Sequence, residues 1–165
     1  MAQFIQLILS NVALIMFGVA CALALLLRTH HPFSRRLLDW MLLLGIGVSY
    51  VWGGIFHVFF PDLAASSIGW PNSPFQYEIG VADIAIGIAA IISFWRSREF
   101  KAAVVTYVAL FSLGVAVGHV YQAVQASDYA ANNFGLLLAV TIAEMIILPI
   151  ALWRTSKNER LDARA

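Results

Sequence analysis

Six residues carry chemistry that the rest of the chain does not need: His57, Glu78, Asp83, His119, Gln122 and Glu144. Imidazole changes charge near neutral pH, and a carboxyl removed from water can trade a proton in the same range. Here both kinds of group fall inside apolar runs. An ionisable side chain in such a run must face the protein interior, pair, or be protonated. Glu78 ends the stretch GWPNSPFQYEIG, residues 69–80, and the segment from Gly80 to Trp95 carries Asp83 as its one charge.

The elements that must position these groups follow from composition. The chain has 165 residues, of which 61% are hydrophobic and 12% charged, against roughly half and a quarter in ordinary soluble domains. A spanning helix needs about 20 mostly apolar residues. Five stretches qualify, at about 3–27, 37–60, 74–95, 102–125 and 134–153, followed by a tail over 154–165. The expected fold is one all-α integral membrane domain over 1–165, with helices 2–5 as a four-helix bundle. The first stretch has no basic leader and a long apolar run, so it is expected to be retained as a span.

All ten basic residues fall in three places: Arg28, Arg35 and Arg36; Arg96, Arg98 and Lys101; and the tail with Arg154, Lys157, Arg160 and Arg164. Cytoplasmic loops hold the Lys/Arg excess, so the pattern predicts a periplasmic N-terminus and a cytoplasmic C-terminus in a bacterial inner membrane. The single cysteine, Cys21, excludes an intrachain disulfide. No Gly-rich phosphate loop or soluble basic face points to nucleotide or nucleic acid.

Within this topology Ser73-Pro74-Phe75-Gln76 reads as a capping box with a proline start. Glu78 lies one turn inside the third helix, and Asp83 lies about 14 Å from Pro74 at 1.5 Å per residue. His57 closes the second helix, with Tyr50 two turns deeper. His119 and Gln122 share a face of the fourth, and Glu144 sits near the middle of the fifth, where Pro149 predicts a kink. His57, Glu78, His119 and Gln122 converge at the outer third of the membrane, with Asp83 and Glu144 below.

Four readings follow. His57, Glu78 and His119 are candidate ligands of a single zinc, iron or copper ion, although no Glu-x-x-His or His-x-x-x-His spacing is present. The same three are candidate acid–base groups acting on a lipophilic molecule such as a quinone, with Gln122, Tyr50, Asp83 and Glu144 as further ligand contacts and redox-linked chemistry in view. The polar cluster can instead serve helix packing in a structural or accessory subunit, as a homo-oligomer or within a larger complex. Proton-coupled transport is the fourth reading, though no inverted repeat is visible.

The run from Phe60-Pro61 through Ser73-Pro74-Phe75-Gln76-Tyr77-Glu78-Ile79-Gly80 resembles small uncharacterised bacterial multi-span membrane proteins with a G-W-x-x-S-P-F-Q-x-E-x-G signature. More loosely, residues 53–90 resemble the DoxX-like proteins, four-helix inner-membrane proteins with an acid beside a glycine at the start of a span. Some of that group are tied to thiosulfate and quinone oxidoreduction, so the resemblance implies quinone chemistry. This chain has an extra first helix and no cysteine in the four-helix core, so thiol chemistry is not implied. A helix added to a four-helix core also resembles sterol-isomerase-like bundles in architecture.

Overall fold

The computed structural model describes residues 11–162, with side chains up to 158. The described residues form six helices and no strand: α1 (Val12–Leu26), α2 (Phe33–Phe59), α3 (Pro61–Ser67), α4 (Phe75–Ser93), α5 (Arg98–Gln125) and α6 (Leu136–Asp162). Four of them, α2, α4, α5 and α6, are long and apolar enough to cross a membrane. The described part of α1 is 15 residues, short of a span, and the expected start of that helix lies outside the described residues. So do Arg164 and the side chain of Arg160.

Helix α4 packs against α2 and α5, α5 against α6, and α6 back against α2, which closes a four-helix ring with α1 laid on α2 and α6. The exterior is apolar along the helices, with Leu110, Val117 and Ile146 each at least half exposed. Such a surface is a liability in water and is what contact with lipid requires.

Glycines seven residues apart on α2 and α4 set the closest helix pair. A Cβ at Gly54 would meet the Gly80 carbonyl oxygen at 2.6 Å, and one at Gly87 would meet that of Gly47 at 2.9 Å. Two antiparallel helices can approach this closely only where side chains are absent. One end of the bundle is filled by Leu38, Met41, Leu42, Ile46, Val104, Val105, Val108 and Leu148. Beyond it, at the helix ends that carry the basic residues, the Arg35 Nε lies 2.9 Å from Asp39 Oδ2 and the Lys101 Nζ 2.9 Å from Asp39 Oδ1. Lys101 also donates to the carbonyls of Ser93 and Phe94, closing the C-terminus of α4.

Three local expectations change. Residue Lys101, read as part of a loop, lies in the first turn of α5 and is fully buried. The segment 61–73 contains a helix, α3, because Pro61 suits a first helical position. The capping box does not form: α4 starts at Phe75 with no side-chain cap, and Gln76 turns inward instead of back onto the backbone.

Candidate functional site

At the end opposite the basic residues the ring encloses a cavity of about 590 Å³. Two helices contribute polar side chains to it at seven-residue intervals, Tyr50 and His57 on α2 and Gln76 and Asp83 on α4, and α5 adds His119. Seven residues are two turns, so each pair shares a face, separated by roughly 10 Å along the axis. The result is two polar tiers. His57, Gln76, His119 and Trp70 form the mouth, and Tyr50, Asp83 and Glu144 form the deep end. Apolar wall and the glycines Gly53, Gly114 and Gly118 lie between, and a Cβ at any of these three would meet nothing within 4 Å.

The mouth is built by loops as well as helices. Helix α3 ends with the Trp70 N–H on the Ala65 carbonyl (3.0 Å) and the Gly69 N–H on that of Ser66 (3.2 Å). This is a Schellman stop, and it needs the left-handed φ of +78° that Gly69 supplies. The turn delivers the Trp70 ring onto His119, with centroids 5.4 Å apart and planes inclined by 26°. From the other side, the Nδ1 of His119 meets the Oδ1 of Asn133 at 2.6 Å. Asn133 is fully buried and donates through Nδ2 to the Asp128 carbonyl at 2.7 Å.

At the deep end the Tyr50 hydroxyl bonds to Ser112 at 3.0 Å. Glu144 is 4% exposed, and its Oε1 sits where a Cβ on Gly45 would come within 2.7 Å. Gly45 belongs to a π-helical stretch of α2, Met41–Val48. Such stretches are rare and concentrate at functional sites.

Six buried side-chain atoms lack a hydrogen-bond partner among the described residues, and four belong to residues that line this cavity: His57 Nδ1, Trp70 Nε1, Gln76 Nε2 and Glu144 Oε1. A buried unsatisfied polar group costs about 1–3 kcal/mol, so proteins keep few of them. These four belong to residues around one space.

Of the residues expected at the site, His57, His119, Tyr50, Asp83 and Glu144 come together here. Glu78 does not. It is exposed, because it lies about 200° around α4 from Gln76 at 100° per residue. Gln122 is half-buried and lies outside the wall, one turn beyond His119. With Glu78 turned away, no three His, Cys, Asp or Glu side chains among the described residues are grouped to hold a metal ion. The sequence reading missed Gln76, Trp70 and Asn133. Ser73-Pro74-Phe75-Gln76 reads as a cap, whereas the seven-residue spacing of Gln76 from Asp83 is the available signal.

Fold and site together define an all-helical bundle of membrane type with a polar-ended internal cavity. The chain belongs to the family of unknown function DUF6790, whose family model matches residues 7–161. A search of curated proteins and one of solved structures gave no match. The family match covers nearly the whole chain, and none of these comparisons shows a DoxX-like relationship.

Proposed function

We propose that this chain is a five-span protein of the bacterial inner membrane, N-terminus periplasmic, that binds a lipophilic small molecule of quinone-like size in the cavity near the outer face. The observation that carries the reading is the set of four unpartnered buried polar atoms around one cavity. Its volume lies within the range of small-molecule sites, about 300–1,000 Å³. Leu110 and Gly114 line it and are also exposed on the exterior of α5, which supports entry from the surrounding lipid. The orientation rests on the basic residues gathered at the other end.

The packing reading, in which the polar groups join helices in an accessory subunit, is favoured only at Tyr50–Ser112 and His119–Asn133, where partners are present. Among the described residues, His57 Nδ1, Trp70 Nε1, Gln76 Nε2 and Glu144 Oε1 have no such partner. The test is extraction and mass spectrometry of lipids that co-purify with the wild type and with Gly114→Leu. Leucine there extends into open space, so the variant is expected to fold and to lose a molecule that the wild type retains at near one per chain. Identical extracts from the two proteins would sink the proposal.

A further inference from the structure

The two ends of the cavity offer a ligand opposite things. We infer that the deep end takes a cationic, hydrogen-bond-donating group, so that the molecules bound are lipophilic amines; this rests on the reading of the cavity as a ligand site. At the mouth the unpartnered atoms of Trp70 and Gln76 are N–H groups, which call for an acceptor on the ligand. At the deep end the groups are the carboxyls of Glu144 and Asp83.

Glu144 is 4% exposed with Oε1 unpartnered, held at that depth because Gly45 opposite has no side chain. The Tyr50 hydroxyl, which lies within electrostatic range of both carboxyls, is already engaged with Ser112. No lysine or arginine lines the cavity. The cations nearest the bundle interior, Arg35 and Lys101, are taken up by Asp39 at the other end. Two carboxyls in a low-dielectric bundle therefore face a space that no lysine or arginine lines, with the imidazoles of His57 and His119 at its mouth. A charge at such depth is expensive alone and far less so when paired. An ammonium group would supply both the charge and the donors. The fitting molecule carries an amine at the deep end and an apolar body opposite the open glycines.

The test uses the full chain in phosphatidylcholine nanodiscs, with empty nanodiscs as the partition control. Isothermal titration compares 2-(1-naphthyl)ethylamine, 2-(1-naphthyl)ethanol and 1,4-naphthoquinone. The amine is expected to bind roughly tenfold or more tightly than the alcohol, the scale of losing one buried charge partner. Glu144→Gln is expected to abolish that preference, bringing amine and alcohol to equal affinity, and Asp83→Asn carries the same expectation if Glu144→Gln fails to fold. Quinone or alcohol binding as tight as the amine overturns the inference and leaves the cavity a ligand site. Binding of none of the three, with identical lipid extracts from wild type and Gly114→Leu, overturns both.

Discussion

The Nδ1 of His119 lies 2.6 Å from the Oδ1 of Asn133, and this contact fixes the state of the ring. Because Asn133 Nδ2 donates to the Asp128 carbonyl, its oxygen must face the imidazole and accept from it. The proton therefore sits on Nδ1, and the neutral ring keeps a bare lone pair on Nε2. Nitrogen NMR of the labelled protein above neutral pH should show the Nδ1–H tautomer at His119. Asn133→Ala should scramble the tautomers and cost about 1–3 kcal/mol of stability, since it also strips the Asp128 carbonyl of its donor. A wild-type spectrum dominated by the Nε2–H tautomer would contradict the assignment.

A second expectation separates two kinds of glycine. At Gly54 a Cβ would meet the Gly80 carbonyl at 2.6 Å and the Ile84 Cγ1 at 2.7 Å, so Gly54→Ala must push α2 and α4 apart. Backbone cannot yield as a side chain does, and overpacking of this kind costs about 1–3 kcal/mol. At Gly114 nothing lies within 4 Å, so Gly114→Ala only raises helix propensity, a gain of about 0.5–1 kcal/mol. Thermal unfolding in one detergent compares the two directly. Similar shifts of the same sign would refute the close glycine contact between α2 and α4.

The basic end supports a third. Asp39 takes Arg35 on one oxygen and the fully buried Lys101 on the other. Asp39→Ala leaves the ammonium of Lys101 inside the bundle without its counter-charge, a situation that costs about 3–5 kcal/mol. Lys101→Met leaves Asp39 paired with Arg35 and should cost less. The double variant should be more stable than the sum of the two single losses implies, and equilibrium unfolding of the four proteins gives that coupling. Strict additivity would mean the pair contributes nothing.

The sequence disclosed the fold through the lengths of its apolar runs, which name α2, α4, α5 and α6 with few rivals. Its order of polar residues along those runs also puts His57, His119, Asp83 and Glu144 towards one end, where they line one cavity. It did not disclose direction around a helix. Glu78 and Gln76 are two residues apart, and only the packing of Gly80 on Gly54 decides that Gln76 faces in and Glu78 out. Trp70 and Asn133 were hidden for another reason. Trp70 reaches the cavity and Asn133 reaches His119 from a connection, and the Schellman stop at Gly69 and the turn at 126–133 have meaning only once α3 and α5 are placed.

Gln76 gives the sharpest test of what the cavity is for. Its amide is buried, its Nε2 has no partner, and its backbone N–H is already bonded to the Ser73 carbonyl at 2.9 Å. In the ligand-free protein the side chain is therefore a cost without return. Gln76→Met keeps the length and removes the polar atoms. If the cavity binds a ligand, this variant should gain about 1 kcal/mol of stability when empty and lose affinity for whatever the wild type retains, because activity and stability compete at prepared sites. If the amide instead joins helices, the same change should destabilise the protein by a similar amount and leave the co-purifying lipids unchanged. Thermal denaturation and lipid extraction on one pair of samples decide between the two. A loss of stability with no change in extracted lipid would place Gln76, and the cavity with it, on the side of packing.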